Sequence, residues 1–313
     1  MDKNTRSILP GAAGLVGQNL IVLLKQQGYT NIVAIDKHKS NTQILRNLHP
    51  DINIIESDLA TDSDWHSAIE KDSVIVMLQA QIGSKDAKPF YENNIESTKN
   101  VLDVARQQQA AFIVHISSSV VESVADDDYT RTKKEQEKLV SESGLPHCIL
   151  RPTLMFGWFD RKHLGWLSRF MKKVPVFPIP GSGKYMRQPL YVLDFCRIII
   201  ACIEQQPDRQ AYNISGREEI YYIDMIRMIK KAVSARTLII KIPYSLFWVL
   251  LKIYALFDRD PPFTTSQLEA LIAGDEFELI PWWEMFRVTP TPLAQAIHET
   301  FNHPEYSKVA LDF

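Results

Sequence analysis

Short apolar runs alternate with amphipathic stretches through the first half of the chain. The runs are continuously apolar, as strands buried on both faces of a sheet are. The residues between two successive runs are about enough to form one helix. This alternation predicts βαβ units, and hence an α/β fold with a doubly wound parallel sheet and helices on both of its faces. The expected strands lie at 8–9, 32–35, 52–55, 73–78, 111–116 and 147–150.

The sequence pattern changes near residue 157. Three prolines cluster from Pro175 onwards, and helical patterns then dominate over 192–205, 222–233 and 291–301. We therefore expect a dinucleotide-binding domain over 1–157 and a smaller, mainly helical substrate lobe over 158–313, with some segments near 187–216 returning to the sheet. A lobe placed over the carboxyl edge of the strands would form a cleft, which is where open α/β sheets bind ligands.

A glycine-rich turn follows the first predicted strand directly. Gly11, Gly14 and Gly17 stand three residues apart in the run Gly11-Ala12-Ala13-Gly14-Leu15-Val16-Gly17. This spacing permits a tight strand-to-helix turn, close approach of phosphate oxygens, and close packing of the helix on the sheet. The backbone N–H groups and the positive end of the helix dipole would then hold a pyrophosphate. The turn therefore predicts binding of a dinucleotide.

Acidic residues at two strand ends bear on which dinucleotide this is. Asp36 ends the second strand, where a carboxylate accepts hydrogen bonds from ribose hydroxyls and repels a 2′-phosphate, which favours NAD. Lys37, His38 and Lys39 follow at once, and their charges leave NADP open as an alternative. Asp58, after the third strand, is expected either to face the adenine or to cap the next helix.

Tyr129 and Lys133 are four residues apart on a predicted helix over 129–143, so both side chains share one face. An ammonium beside a phenol lowers the pKa of the phenol, which prepares it for proton transfer. Ser119 closes the apolar run before that helix and is expected to hydrogen-bond the same substrate oxygen. Three carboxylates at 126–128 would oppose a phenolate unless they cap the helix or face solvent.

The composition excludes some classes of function. A net charge of −2 over 313 residues gives little electrostatic support to nucleic-acid binding. The three cysteines lie in apolar runs without paired spacing, so we expect buried thiols in a reducing compartment and no metal site. The polar N-terminus shows no signal peptide, and the expected location is the cytoplasm.

Residues 238–257 are strongly apolar. Lys241, Pro243 and Lys252 interrupt the segment, so its charge-free stretch is far shorter than the ~20 residues that a transmembrane helix needs. We expect no transmembrane segment and interpret these residues as a buried helix of the second lobe. Contact with a membrane surface or with another subunit is the alternative.

Taken together, these motifs resemble the extended short-chain dehydrogenase/reductase family, which contains nucleotide-sugar epimerases, dehydratases and reductases. The resemblance covers most of the chain. It rests on the glycine turn, Asp36, Asp58, Asn93-Asn94, the serine triplet 117–119, Tyr129 with Lys133, Arg151-Pro152-Thr153, and the run 187–194.

The resemblance implies roles for particular residues. Ser119 would be the catalytic serine, Tyr129 the acid/base and Lys133 the residue that tunes it, while Arg187 would contact the diphosphate of the substrate. Asn94 would brace the active-site strands. Homodimers would form through the helices over 94–109 and 130–143. The implied cofactor contacts are Gly11, Ala13, Gly14, Leu15, Val16, Gly17, Asp36, Lys37, Asp58, Leu59, Lys133 and Pro152.

The predicted function is that of an NAD(P)-dependent epimerase or 4-keto-reductase acting on a nucleotide-linked sugar. Val120-Val121 follow Ser119 where sugar dehydratases resembling this family carry an acidic pair, which disfavours dehydration. Leu154 and Gln188 depart from the residues usual in the family and resemble a divergent branch that includes the accessory subunit of respiratory complex I. A non-catalytic NAD(P)H-binding structural or assembly protein is therefore the alternative.

Overall fold

A seven-stranded sheet forms the centre of the protein in the computed structural model, which describes residues 2–257, 265–273 and 277–312. The strands, including those of three short two-stranded ladders, are β1 (Ser7–Pro10), β2 (Ile32–Asp36), β3 (Asn53–Glu56), β4 (Val74–Met77), β5 (Phe112–Ile116), β6 (His147–Pro152), β7 (Met155–Phe156), β8 (Val176–Pro180), β9 (Met186–Arg187), β10 (Leu190–Tyr191), β11 (Gln210–Ile214), β12 (Ile220–Tyr221) and β13 (Leu238–Ile242).

The strand order in the main sheet is β11-β6-β5-β4-β1-β2-β3, and all six neighbouring pairs are parallel. The predicted fold class is thus confirmed. The order reverses between β1 and β4, so the crevice for a ligand opens at the carboxyl ends of these two strands. β11 comes from the second half of the chain and pairs with β6 from Gln210 opposite Cys148 to Ile214 opposite Pro152.

Helices cover both faces of the sheet. They are α1 (Leu15–Gln26), α2 (Lys39–Leu48), α3 (Lys88–Phe90), α4 (Ser97–Gln107), α5 (Asp128–Glu142), α6 (Leu164–Lys173), α7 (Val192–Gln205), α8 (Tyr222–Ala232), α9 (Tyr244–Phe257), α10 (Thr265–Ala273), α11 (Trp282–Met285) and α12 (Leu293–Asn302). One apolar cluster joins α1, α7 and the second lobe to one face, while α4 and α5 contribute to a second cluster on the other. The sheet is therefore buried on both sides, as its apolar strands require.

A π-helical turn over Tyr91–Glu96 leads into α4 and places Asn94. The buried Asn94 carboxamide accepts from the Gln81 amide (2.7 Å) and donates to the Gln81 carbonyl (3.2 Å) and to Thr132 Oγ1 (2.9 Å). It thus ties the loop after β4 to helix α5. The family resemblance implied that Asn94 braces the active-site strands, whereas its hydrogen bonds here join a loop and a helix.

The interpretation of 238–257 as one buried helix is wrong. Residues 238–242 form β13, which pairs with β8, and Pro243 separates this strand from α9. Three isoleucines favour the strand, and a proline at this position suits the boundary. Several large apolar side chains of α9 are exposed. Among the described residues, no helix has the length and apolar character needed to cross a bilayer.

Gly17 permits the close contact between α1 and the glycine turn. A Cβ atom added at Gly17 would lie 2.3 Å from the Ala12 carbonyl oxygen. We predict that Gly17→Ala destabilises the fold by about 1–3 kcal/mol, because overpacking forces the backbone to shift. Urea unfolding measures this, with Gly83→Ala as control, since a Cβ at Gly83 meets nothing within 4 Å. Equal stability of both variants would show that α1 does not need this contact.

Candidate active site

The glycine turn begins where β1 ends. Gly11 has a φ of +81°, a value that favours glycine, and a Cβ there would lie 2.5 Å from the Gln79 amide nitrogen. A Cβ at Gly14 would meet only the Gly11 carbonyl, at 3.6 Å. In the described part of the chain the amides of Leu15 and Val16 have no acceptor within the protein. The turn therefore has the backbone shape and the free donors that a pyrophosphate requires.

Asp36 lies against this turn. Its carboxylate accepts from the amides of Ala13 and His38, both at 2.9 Å. Burial raises the pKa of Asp36, and these two backbone donors act in the opposite direction. The carboxylate is thus held at the end of β2, where a ribose would approach.

Lys37 is engaged within the protein. Its Nζ lies 2.8 Å from Asp58 Oδ2 and 2.6 Å from Asn93 Oδ1. Asp58 also accepts from the Ala60 amide (2.9 Å), so it caps a turn as well as neutralising the lysine. Because its charge is neutralised within the protein, Lys37 is less available to bind the 2′-phosphate of NADP. This favours NAD as the cofactor. The Leu59 side chain is buried in the core, so only its backbone is available to a cofactor.

Unpartnered buried polar groups follow three neighbouring strands at the carboxyl edge of the sheet. They are both carboxamide atoms of Gln79 after β4, the Ser117 hydroxyl after β5 and the Thr153 hydroxyl after β6. A buried polar atom without a partner is costly, so such groups usually await a ligand or water. Pro152 ends β6 between them and is buried. These groups, with the glycine turn and Asp36, fit a bound dinucleotide.

Gln79 was missed by the sequence analysis. The signal was present, because Gln79 is the first polar residue after a strand at the point where the strand order reverses. That order only becomes known once the sheet is assembled.

Tyr129 lies in the first turn of α5, and Ser118 is close enough to influence the pKa of its phenol. Burial raises the pKa of Tyr129, the neighbouring Ser118 hydroxyl lowers it, and the charge of Asp127 raises it. The phenol is therefore protonated at neutral pH in this structure. The expectation that Lys133 lowers this pKa is not met, because the Lys133 amine bonds elsewhere.

Ser118 is the serine that influences the pKa of Tyr129. β5 ends at Ile116, where the predicted strand over 111–116 also ends, so the serine triplet 117–119 follows the strand. Ser119 begins a short 3-10 turn over Ser119–Glu122, and Ser118 caps that turn by accepting from the Val120 amide (3.4 Å).

Lys133 is fully buried one turn after Tyr129. Its Nζ donates to the Ile116 carbonyl (3.0 Å) and to Gln136 Oε1 (2.5 Å). Gln136 in turn donates to Thr98 Oγ1 (2.8 Å) on α4. Burial lowers the pKa of Lys133 to about 7, and Glu137 acts in the opposite direction. A neutral amine has two N–H donors, which these two acceptors satisfy.

The three carboxylates before Tyr129 are accounted for by local contacts. Asp127 caps α5 by accepting from the Thr130 amide and from its hydroxyl, both at 2.9 Å. Asp126 and Asp128 both bind Arg131. Only the capping Asp127 raises the pKa of Tyr129.

Arg187 ends β9, and Gln188 follows it directly. Arg187 stands opposite Ile220 in the antiparallel β9–β12 ladder. Gln188 is buried, donates to the Gly216 carbonyl (2.9 Å) and accepts from the Phe277 amide (3.1 Å). Gln188 is thus a structural residue that fixes the segment beside Arg187.

The buried lysine makes stability depend on pH. The unfolded lysine keeps its proton up to about pH 10.4, whereas folded Lys133 loses it near pH 7. The unfolded state binds more protons between these values, so this residue makes stability rise with pH across that window. We predict that Lys133→Met removes this rise, whereas Lys134→Met on the exposed side retains it.

Denaturant unfolding at several pH values measures the effect. The stability of Lys133→Met minus that of the wild type should be largest below about pH 7 and shrink by several kcal/mol as the pH approaches 10. Curves that run parallel over the whole range would contradict the burial of a titrating amine.

Comparison with known proteins agrees with this geometry. The sequence pattern of the NAD-dependent epimerase/dehydratase family matches residues 8–215. UDP-glucose 4-epimerase of Vibrio cholerae is 23% identical over 282 residues, which cover 80% of this chain and 84% of that protein. The mitochondrial NADH dehydrogenase [ubiquinone] 1 alpha subcomplex subunit 9 of Dictyostelium discoideum is 21% identical, covering 83% of this chain and 73% of that protein.

The fold is also found among solved structures. UDP-glucuronic acid 4-epimerase from Bacillus cereus, in complex with NAD, superposes with a TM-score of 0.70 at 22% identity, covering 96% of this chain and 98% of that one. The match to the family spans the glycine turn, Asp36, Tyr129 and β11. This chain belongs to the NAD-dependent epimerase/dehydratase family, as its resemblance to the extended short-chain dehydrogenases/reductases predicted.

Proposed function

We propose that this protein is an NAD-dependent epimerase that acts on a nucleotide-linked sugar. The observation that carries the proposal is the set of unpartnered polar groups of Gln79, Ser117 and Thr153 at the carboxyl ends of neighbouring strands, in a chain whose Ser118 lowers the pKa of Tyr129. Relatives named as UDP-sugar epimerases support the class of substrate.

Tyr129 moves the proton in this proposal. As phenolate it accepts the proton of a sugar hydroxyl while the carbon bearing that hydroxyl loses a hydride, so the alcohol becomes a ketone. Once the sugar presents its other face, the same phenol returns the proton to the oxygen as the hydride returns to the carbon. NAD, when bound, accepts and gives back that hydride. No net oxidation results.

Ser118 and Lys133 support the tyrosine. We propose that the Ser118 hydroxyl donates to the reacting oxygen, because this serine already lowers the pKa of the phenol. Tyr129 needs a nearby positive charge to ionise at neutral pH, because burial raises its pKa. We propose that Lys133 supplies this charge by turning from the Ile116 carbonyl towards the phenol and the cofactor ribose. Arg187 is proposed to bind the diphosphate of the substrate.

A 4-keto-reductase would use the same residues and remains the nearest alternative. The protonated Tyr129 suits the reduction half of the cycle, in which a ketone oxygen receives a proton. A reductase must release oxidised cofactor after each turnover, whereas an epimerase retains it, and this difference lies in the motion of the cleft.

Three variants test the assignment. Tyr129→Phe should lower turnover of UDP-sugars by about 10²–10⁴-fold, the usual contribution of a general acid/base, with NAD affinity unchanged. Ser118→Ala should lower it strongly and Ser119→Ala much less, because Ser118 is the serine that lowers the pKa of the phenol. Product analysis by NMR with a panel of UDP-sugars measures this. If Ser119→Ala lowers turnover more than Ser118→Ala, the catalytic serine is Ser119. An active Tyr129→Phe would contradict the mechanism.

The second candidate function is a non-catalytic NAD-binding subunit. Two observations favour it: the complex I subunit among the relatives, and a Lys133 amine that is bonded away from Tyr129. Such a protein would bind NAD with wild-type affinity and show no turnover with any UDP-sugar, and Tyr129→Phe would change nothing.

We also propose the division near residue 157 into a cofactor domain and a substrate lobe, and a cytoplasmic location, which suits three free buried cysteines. The dimer through 94–109 and 130–143 stays a proposal. The exposed side chains on these helices are largely charged or polar: Asp103, Arg106, Gln107, Arg131, Lys134, Glu135, Lys138 and Glu142. A dimer formed through this surface would be polar.

A polar dimer should respond to salt. We predict that sedimentation velocity shows dimers at low ionic strength that dissociate as salt is raised, because screening weakens charge pairs between exposed groups. Lys138→Glu should shift the equilibrium. A monomer under all conditions would remove this surface as the dimer contact.

A further inference from the structure

Helix α9 presents a continuous apolar face to solvent. This apolar face consists of Leu246, Val249, Leu250, Ile253 and Leu256, which are 44–81% exposed. At about 100° per residue the five side chains occupy an arc of roughly 120°. Surface helices of globular proteins carry polar residues on the side that faces solvent. We therefore expect a binding partner to bury this apolar face.

The exposed apolar surface continues onto the neighbouring ladder. Leu238 and Ile240 of β13 and Val176 of β8 are exposed as well, at 64%, 42% and 39%. Tyr244, at the start of α9, is also exposed, and Lys252 places its ammonium 5.1 Å from the ring centroid of Trp248. Tyrosine, tryptophan and lysine beside aliphatic side chains are typical of surfaces that meet the lipid–water boundary.

The two stretches of chain that form this surface carry one sign of charge. The sequence contains no aspartate or glutamate over 161–193, which includes β8, or over 225–257, which includes β13 and α9. The β8–β13 ladder brings these two stretches together. Their exposed cations include Lys172, Lys173, Lys231, Arg236, Lys241 and Lys252. Within the described residues, none of these six pairs with a carboxylate.

This positive charge distinguishes between two candidate partners for the surface, a second copy of the chain and an anionic membrane. In a symmetric contact the same patch faces itself, so a second copy of the chain would bring twelve like charges together. An anionic phospholipid surface complements both features, because its acyl chains accept the aliphatic side chains and its headgroups attract the cations. We propose that α9 and the β8–β13 ladder attach this protein to anionic membranes.

The attachment is peripheral. α9 has 14 residues and hence a length of about 21 Å, less than the ~30 Å of a bilayer core, so the helix lies in the interface plane. The ladder that forms part of this surface leads into the substrate lobe, since the Gly181 amide after β8 donates to the Ile242 carbonyl (2.8 Å). The proposal is independent of the reaction at Tyr129.

Vesicle flotation of the full chain tests the proposal. The protein should float with vesicles of phosphatidylcholine and phosphatidylglycerol, float far less with phosphatidylcholine alone, and detach as salt is raised. Leu250→Gln with Ile253→Gln, and separately Lys241→Glu with Lys252→Glu, should each weaken binding about tenfold or more. Matched controls are Ile82→Gln with Val124→Gln, which alter exposed apolar residues elsewhere, and the exposed-charge variant Lys138→Glu.

Thermal unfolding and NAD binding establish that each variant folds. If a variant fails to fold, the dependence of wild-type flotation on lipid charge and on salt still decides the question. Absence of flotation with anionic vesicles would overturn the proposal. So would light scattering that shows oligomers which Leu250→Gln with Ile253→Gln converts to monomers, because a second copy would then cover the face.

Discussion

The buried amine of Lys133 connects the parts of the reactive region. It joins α5 to the last carbonyl of β5 and, through Gln136 and Thr98, to α4. The helix that carries Tyr129 is thereby fixed against the carboxyl end of β5. Burial of an amine costs free energy and lowers its pKa, and the two hydrogen bonds offset part of that cost. Such an amine takes up a proton again when a polar partner approaches it.

The cofactor edge is the second constraint. The glycine turn leaves no room for side chains at Gly11 and Gly17, while Gln79, Ser117 and Thr153 leave polar atoms without partners at the adjoining strand ends. Protein interiors rarely leave polar groups unpartnered, so these three at adjoining strand ends suit a polar ligand or water. The family to which the chain belongs supplies the identity of that ligand, NAD.

Much of this could be predicted from the sequence because it depends on local patterns. The apolar runs predicted the strands of the sheet. The spacing of the glycines predicted the turn at the point where the strand order reverses. The placement of Ser118, Lys133 and Gln79 could not be predicted, since it depends on the 3-10 turn that follows β5, on which acceptors the lysine amine finds and on the order of the strands. The exposure of α9 was not predicted, because an apolar sequence does not distinguish a helix buried in the protein from one that lies on its surface.

The central claim is that this crevice holds NAD and uses it for recycling chemistry. The most direct measurement is to denature the purified protein and identify the released small molecules by mass spectrometry. Our account predicts that NAD is released in amounts close to one per chain, because an epimerase retains its cofactor between turnovers. A protein that releases no dinucleotide and binds neither NAD nor NADP on titration would contradict the account at its foundation.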